Sequence, residues 1–456
     1  MSSDEEMVGS SGSESEEQIR VSFVTKHDEY RVTETSIAVP GGLGRLGLSK
    51  VVNHLLDTKK PVPFDFLVVE KDVLVRASLE QQLSELGVST ETVVKLEYAP
   101  AVQEPELNAE SEWPDWISCV DGRRSVSGRD VVVSGCYDGT VQVSSLVNQK
   151  SLVLADTIQA HRYAVKSVCQ FSDKYFVTAS KDGTAKLYQL DIKTPSSSTK
   201  KLKVDVTEKT VLKGHAGSVE SVDAIEVGSH AIVASGGWDH AVCIWKTSLD
   251  NGNETDGDGE QVGQKTKMRK TGENGVKHGS SQELEPATVF SEHTDNVSGV
   301  CWAKENSATL YTGSWDHSIR VWDVPTEKCT IHLPGNKVVT GISYSERKQL
   351  IASGSADHVI RLWDVRTTGD SIVKMQLRSH KGWVSSVKWC PSNENILVSS
   401  SHDHTIKIWD IRSNIPLHTL APHTNKVLTV DWNCEGNMLF SGGADSMLRA
   451  HHLPVL

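Results

Sequence analysis

Aspartate and histidine recur along this chain at matched distances, and this is the pairing that acid–base catalysis and metal binding both use. The densest example is His402-Asp403-His404. An Asp in a turn-forming segment occurs at Asp138, Asp182, Asp239, Asp316, Asp357, Asp403 and Asp445. A His precedes five of these by 21 to 24 residues, at His161, His215, His293, His380 and His423. Taken alone, such pairs would indicate proton transfer or a metal site.

The surrounding spacing favours a structural role instead. In four segments a Trp follows the Asp by six residues. The Asp can accept bonds from the turn and the His, the His can link to a Ser or Thr, and the indole N–H can only donate. In a partly dry setting each such bond contributes about 1 kcal/mol, and linked bonds reinforce one another. We therefore predict a structural network, with no catalytic residue and no metal ligand, formed by His215, Asp239, Trp245, His293, Asp316, Trp322, Asp357, Trp363, His380, Asp403 and Trp409.

Some units depart from this pattern. Ser144, Tyr188 and His451 stand where Trp is expected, and Asn336 stands near the place of a His. We expect incomplete networks in those units.

Segments that repeat every 40 to 50 residues or so indicate a propeller. The units resemble WD40 repeats, and the resemblance runs from about residue 113 to 456. Seven units predict an all-β, seven-bladed WD40 propeller over 113–456, in which the chain near Trp113 supplies the outer strand of the last blade.

The residues before the repeats have a different pattern. Residues 1–17 hold six acids and no base, which predicts a disordered acidic tail. From residue 18, two strands, a helix, two strands, a short helix and a strand follow in order, as in a ubiquitin-like α+β domain over 18–99. Ser49 is the predicted N-cap of the first helix. Residues 100–112, with two prolines and four acids, indicate a linker.

Composition narrows the function classes. The net charge of −12 argues against nucleic-acid binding by a broad basic face, although direct RNA contact through a local patch stays open. No apolar run is long enough for a membrane span, and the scattered cysteines are typical of a reducing compartment. We predict insertions at about 190–208 and 248–285, the second of them disordered. Its basic run 265–270 is either a solvated loop or a nuclear import signal.

We find no enzyme motif in the sequence. Gly41-Gly42-Leu43-Gly44 lacks the GxGxxG spacing, and there is no phosphate-binding loop, nucleophile motif or metal-ligand spacing. The prediction is a non-enzymatic scaffold that needs no cofactor.

Several local motifs narrow the family. They are Gly47 to Leu56, Pro61 to Leu67, Gly87 to Tyr98 and Asp115 to Ser118. Together they resemble the eukaryotic ribosome-assembly factors of the WD repeat-containing protein 12 family, called Ytm in yeast. The resemblance implies a scaffold in assembly of the large (60S) ribosomal subunit and pre-rRNA processing, located in the nucleolus and nucleoplasm. It implies that the propeller joins a trimer with the pescadillo and block-of-proliferation proteins on the pre-60S particle, with no membrane partner.

The resemblance also implies that the ubiquitin-like domain is bound by midasin, an AAA+ ATPase that removes the factor from the particle. A carboxylate of this domain would fill an open position on the Mg²⁺ of midasin's adhesion site. By motif that carboxylate is Glu91; the rival acids are Asp72, Glu80 and Glu97. Mg²⁺ suits the role because it prefers oxygen ligands and keeps exchangeable waters.

Two alternatives stay open. A Notchless-type assembly factor shares the ubiquitin-like domain and midasin, but it should carry eight repeats. A substrate receptor of a cullin ubiquitin ligase would use Trp-Asp-x-Arg motifs, which occur here at 363–366 and 409–412.

Overall fold

The computed structural model describes residues 17–58, 60–126, 129–148, 150–193, 202–249, 282–367 and 373–454. The chain divides into two compact units, Met1–Val102 and Gln103–Leu456. The predicted acidic tail, apart from Glu17, and the basic run 265–270 lie outside the described residues. No helix within the described ranges is long and apolar enough to cross a membrane.

The first unit is one mixed sheet with two helices. Its elements are β1 (Gln18–Val24), β2 (Ile37–Pro40), α1 (Arg45–Leu55), β3 (Phe64–Val68), β4 (Val73–Leu74), α2 (Leu79–Leu86) and β5 (Val94–Pro100). The strand order is β2-β1-β5-β3-β4. The β1–β5 pair is parallel, and the other pairs are antiparallel. Alternate strand residues such as Val21, Phe66 and Leu96 are buried and pack with α1 residues such as Leu48 and Val52 in one core.

The predicted N-cap of α1 is wrong. The helix begins at Arg45 with Gly44 as its cap, so Ser49 lies inside it. Ser49 is buried, and its hydroxyl accepts the N–H of Phe64 at 3.1 Å and donates to the carbonyl of Val62 at 3.3 Å. The hydroxyl therefore ties the helix to the entry of β3, because a buried polar group needs partners.

The second unit is all β. Its first strand, β6 (Glu106–Glu112), belongs to the last sheet. The strands of the first four sheets are β7 (Ile117–Val126), β8 (Arg129–Cys136), β9 (Thr140–Val147), β10 (Ser151–Gln159), β11 (Val165–Gln170), β12 (Tyr175–Ser180), β13 (Thr184–Lys193), β14 (Lys203–Lys213), β15 (Val219–Val227), β16 (His230–Gly237), β17 (Val242–Ser248), β18 (Gln282–Leu284), β19 (Thr288–Phe290), β20 (Val297–Trp302), β21 (Thr309–Ser314), β22 (Ser318–Asp323) and β23 (Lys328–Pro334).

The remaining strands are β24 (Val339–Ser345), β25 (Leu350–Ser355), β26 (Val359–Asp364), β27 (Val373–Arg378), β28 (Val384–Trp389), β29 (Ile396–Ser401), β30 (Ile406–Asp410), β31 (His418–Leu420), β32 (Val427–Trp432), β33 (Met438–Gly443) and β34 (Met447–His452). Within the described residues the unit forms seven sheets, which we number 1 to 7 along the chain from β7.

The sheets form a β-propeller. Their first strands, β7, β11, β15, β20, β24, β28 and β32, contact one another in succession, and β32 returns to β7. Apolar clusters lie between neighbouring sheets, as where Val165 packs with Val131. The ring is closed by β6, which pairs antiparallel with β34 from Glu112↔Met447 to Glu106↔His452. This confirms the prediction that chain near Trp113 supplies the outer strand.

The same pairing corrects the predicted linker. Residues 106–112 are a strand, and only 101–105 connect β5 to β6. The acids of this segment misled the prediction, because an outermost strand leaves many of its side chains in water and tolerates charge.

Both predicted insertions are also shorter than expected. Residues 190–193 and 203–208 extend the β13–β14 hairpin of sheet 2. Gln282–Leu284 form β18, which pairs parallel with β14 as a fifth strand of that sheet. The centre of each insertion, 194–201 and 250–281, lies outside the described residues.

Candidate functional site

Sheet 4 contains a complete four-residue network. The Nδ1 of His293 is 2.7 Å from the Asp316 carboxylate, and its Nε2 is 2.8 Å from the hydroxyl of Thr312. The indole N–H of Trp322 donates to that hydroxyl at 2.8 Å. Asp316 also accepts the N–H and hydroxyl of Ser318, which fixes the turn. Each member is held by its neighbours, so the network binds the turn to the sheet interior.

Sheet 6 repeats this arrangement. His380 is 2.9 Å from Asp403 and 2.7 Å from the hydroxyl of Ser399, to which Trp409 donates at 2.8 Å. Burial lowers the pKa of His380 although Asp403 opposes this. Burial alone would raise the pKa of Asp403, but its hydrogen bonds from His380 and Thr405 outweigh that and hold it well below its usual range. The stable state is thus a neutral imidazole on an ionised carboxylate, directed into the sheet.

Sheet 3 corrects one predicted member. His215 contacts Asp239 at 2.9 Å and the Ser235 hydroxyl at 2.7 Å. The indole N–H of Trp245 is buried and has no hydrogen-bond acceptor among the described residues. The ring of Trp245 is tilted by 51° to that of His215, whereas the rings of Trp409 and His380 stand at 61°. Trp245 therefore contributes by packing alone.

Sheet 5 has no His at the network position and uses an arginine instead. Both oxygens of Asp357 accept bonds from the Arg361 guanidinium, at 3.0 and 2.6 Å. Trp363 donates to the Ser353 hydroxyl at 2.7 Å. Asn336 is exposed. The network is therefore divided into two parts, as the missing His predicted.

The other three sheets vary at the position of the Trp. In sheet 2, His161 joins Asp182 and Thr178 at 2.8 Å each, and the hydroxyl of Tyr188 donates to a backbone carbonyl. This network is more complete than predicted. Burial opposes ionisation of Asp182, yet the hydrogen bond and charge of His161 lower its pKa to about 2. In sheet 1, Asp138 caps its turn through Thr140 at 2.6 Å.

Sheet 7 has His423 between Asp445 and Ser441, each at 2.9 Å. The guanidinium of Arg449 is also 2.9 Å from Asp445. His451 replaces the Trp; it is buried, and its Nδ1 has no partner among the described residues. Burial lowers the pKa of His451 to about 4.

The His402-Asp403-His404 cluster does not converge on one point. His402 stacks on Trp383 with ring centroids 5.9 Å apart, while Asp403 faces His380 and His404 takes the positive φ of the turn. Within the described ranges no group of three or more His, Cys, Asp or Glu residues could hold a metal ion.

Glu91 lies in an exposed turn directly before β5. Its backbone N–H donates to the Ser89 hydroxyl at 3.3 Å, and the Thr92 hydroxyl donates to the Ser89 carbonyl at 3.4 Å. Since β5 runs parallel to β1, the turn lies where β1 begins, and the Thr90 hydroxyl donates to Glu17 at 3.1 Å. Local bonds thus fix the backbone while the Glu91 side chain is exposed to solvent.

The rival acids differ in accessibility. Glu97 is half-buried and 2.8 Å from the ammonium of Lys26. Asp72 and Glu80 are exposed, in the β3–β4 turn and in the first turn of α2. Glu97 is thus the rival whose charge is already compensated.

An aromatic face on the propeller was not predicted. Four of its side chains, Trp116, Tyr163, Trp238 and Trp383, are 42 to 51% exposed. Trp238 directly precedes the turn residue Asp239, whereas the other three lie just before the first strand of a sheet. Trp383 also lines a cavity of about 1280 Å³, together with the aromatic residues Tyr137 and Trp315. The sequence feature that could have indicated this face is a Trp directly before the turn Asp, as in Trp238-Asp239 and Trp315-Asp316.

Polar contacts join this aromatic face across sheets 1 to 4. The Lys166 ammonium lies 5.4 Å from the Tyr137 ring centroid and 3.4 Å from the Glu220 carboxylate. Glu220 accepts the indole N–H of Trp238 at 2.8 Å, and the rings of Trp238 and Trp315 are 5.3 Å apart. Apolar rings beside paired charges are typical of protein-binding surfaces.

The Trp-Asp-x-Arg arginines are used within the chain. The guanidinium groups of Arg366 and Arg412 each donate two hydrogen bonds of 2.7 to 2.9 Å to the Asp two residues earlier. The motif is thus explained by turn structure, and nothing here favours a ligase receptor.

Comparison with known proteins identifies relatives along nearly the whole chain. A family model described as NLE (NUC135) domain matches residues 19–83. The model described as WD domain, G-beta repeat matches residues 153–189, 206–246, 284–323, 327–364, 371–410 and 414–451. Proteins named ribosome biogenesis protein WDR12 homolog are 36% identical in Arabidopsis thaliana, 37% in Chlamydomonas reinhardtii and 34% in Ixodes scapularis. Each alignment covers 95 to 96% of this chain and 97 to 98% of the relative.

Proposed function

This chain belongs to the WDR12 family of ribosome biogenesis proteins, and from that membership we propose that it is a scaffold in assembly of the large (60S) ribosomal subunit and in pre-rRNA processing. The chain is a non-enzymatic WD40 protein of this family. Its place of action is the nucleus, in the nucleolus and nucleoplasm.

The proposal gives each unit a separate task. We assign the first unit to the ubiquitin-like folds, supported by its strand order with parallel β1 and β5 around one helix. We assign the second unit to the seven-bladed propellers, supported by the seven described sheets. An eight-repeat Notchless-type factor fits this arrangement less well.

The propeller is the docking unit. It joins the pescadillo and block-of-proliferation proteins in a trimer on the pre-60S particle and presents its aromatic face to a partner. Support comes from large rings in water, such as Trp238 and Trp383, because exposed aromatic clusters mark binding surfaces.

The first unit is the domain that midasin binds when it removes the factor from the particle. Glu91 fills an open position on the Mg²⁺ of midasin's adhesion domain. The observation that carries this assignment is an exposed carboxylate on a turn that local bonds hold in place. Such a turn loses little freedom on binding, so more of the contact energy becomes affinity.

Replacing Glu91 tests the assignment. Glu91→Ala should leave the unfolding midpoint unchanged, since Glu91 bonds to Ser89 through its backbone N–H, which the substitution keeps. It should weaken binding to the Mg²⁺-loaded adhesion domain at least about tenfold. Isothermal titration calorimetry of the full chain with the adhesion domain measures the Kd. Asp72→Ala and Glu80→Ala are matched controls and should bind as the unchanged chain does. Normal binding by Glu91→Ala would refute its role.

Affinity purification of the tagged chain tests the wider function. Large-subunit precursors, pescadillo, block-of-proliferation protein and midasin should co-purify, and cross-linked RNA would reveal direct contact. Recovery of cullin subunits without pre-ribosomal particles would overturn the proposal.

A further inference from the structure

Two exposed valines lie beside Glu91 in an otherwise polar region. Val69 and Val93 are 41% and 40% exposed, although each adjoins a fully buried residue, Val68 or Val94. We call this pair the apolar shoulder. The pair is a small apolar area, so its position beside Glu91 rather than its size is what makes it a candidate contact.

Strand register places the pair on one face of the sheet. β3 and β5 are antiparallel with Val68 opposite Leu96, and the N–H of Val69 donates to the carbonyl of Lys95 at 3.1 Å. Val93 is two residues before Lys95, so Val69 and Val93 are diagonal neighbours, about 7 to 8 Å apart. Their buried neighbours point to the core, so the valines face the opposite side, away from α1.

The shoulder adjoins the acidic end of the unit. Glu91 is two residues before Val93, and Glu70 and Asp72 follow Val69. All three acids are exposed. Lys71 and Lys95 are exposed here as well, so this end carries three acids against two bases, beside the apolar area of the shoulder.

We propose that the apolar shoulder packs against the rim of the cation site on the protein domain that receives Glu91, so that one surface delivers a metal ligand and an apolar contact together. This deepens the proposed function and rests on it. Carboxylates recur around this end, so charge alone does not select one of them. The shoulder fixes the approach to the Glu91 side, and covering it removes water from around the carboxylate–cation contact.

Binding of the full chain to midasin's adhesion domain with Mg²⁺ tests the shoulder. Val69→Ser and Val93→Ser should each raise the Kd about fivefold to tenfold, and the double variant should raise it further, as expected for half-exposed valines buried on association. Leu55→Ser is the matched control, because Leu55 is 43% exposed at the far end of α1, and its Kd should not change.

The outcomes distinguish a failure of the apolar shoulder from a failure of the proposed function on which it rests. If the unchanged chain does not bind the Mg²⁺-loaded domain, the proposed function fails. If it binds and Glu91→Gln abolishes binding, but the double valine variant binds with unchanged Kd, the shoulder alone is refuted. Circular dichroism melting shows whether the variants fold. If the serine variants unfold, Val69→Thr and Val93→Thr keep the branched shape while adding a hydroxyl; a weaker Kd then supports the shoulder, and an unchanged Kd overturns it.

Discussion

Sheets 4 and 7 share one network plan but differ in how the turn Asp is neutralised. Four residues after the Asp, both sheets have an arginine, Arg320 or Arg449. In sheet 7 the arginine contacts Asp445 at 2.9 Å, whereas in sheet 4 it contacts Glu292 at 2.7 Å. Sheet 4 thus relies on His293, and sheet 7 divides the task between a His and an Arg.

The difference teaches that a hydrogen-bonded turn carboxylate recurs in these sheets more regularly than any one partner of it. Asp357 supports this, since Arg361 supplies its charged partner where no His does. A Trp bonds to the Ser or Thr hydroxyl in sheets 4, 5 and 6, and in sheets 4 and 6 this bond completes the network.

Removing the His should have the largest effect and should separate the two sheets. His293→Ala should lower the free energy of unfolding by about 3 kcal/mol, because it strips a nearly buried carboxylate of its main partner. His423→Ala should cost about half as much, because Arg449 still compensates Asp445. Urea titration followed by circular dichroism measures both values.

The exposed Asn336 in sheet 5 provides a baseline for that comparison. Asn336→Ala should change stability by less than about 0.5 kcal/mol. Equal losses for His293→Ala and His423→Ala would contradict the idea that Arg449 takes over part of the role.

His451, whose Nδ1 has no partner in the part of the chain that the structure describes, should make the stability of sheet 7 depend on pH. Its pKa of about 4 in the folded chain lies below the value near 6.5 expected when unfolded. The unfolded chain therefore takes up the proton first, so this contribution to stability is full above about pH 6.5 and declines by about 3 kcal/mol toward pH 4. His451→Phe should reduce the loss of stability between pH 7 and 4.5, measured by urea titration at both pH values.

His452→Phe is the matched control, one residue further along β34 and only half-buried. It should keep the original pH dependence. An undiminished loss in His451→Phe would show that other groups set the acid sensitivity.

The smallest effect should separate a bonded indole from an unbonded one. Trp409 and Trp245 are equally buried, but only Trp409 donates to a serine. Trp409→Phe should therefore cost about 1 kcal/mol more than Trp245→Phe, the net value of one hydrogen bond, in paired thermal melts. Equal costs would mean that packing alone matters at this position.

Spacing was sufficient to predict the propeller and most network partners, since each repeat places Asp, His and Trp at fixed points of one sheet. It did not reveal that the indole N–H of Trp245 has no acceptor among the residues that the structure describes, because the packing that places the indole is not visible in sequence. It missed the strand over 106–112, since its pairing partner is more than 300 residues away. Ser49 was misplaced because a capping residue and a buried helix residue with tertiary partners look alike in sequence.

The position of Glu91 in a turn could be predicted from its neighbours. The apolar shoulder could not, because Val69 and Val93 meet only when β3 and β5 pair. The aromatic face was missed for the same reason: its members come from several repeats and gather only when the ring closes.

The closing strand β6 has a mechanical consequence. It is the only strand of the ring whose sequence directly follows the first unit, with residues 101–105 between them. Tension applied to that unit enters the propeller at Glu106 and loads the β6–β34 hydrogen bonds before any other part of the ring. A motor that pulls on the first unit would therefore strain the pairing of β6 with β34, so the force that the propeller withstands depends on the strength of this pairing.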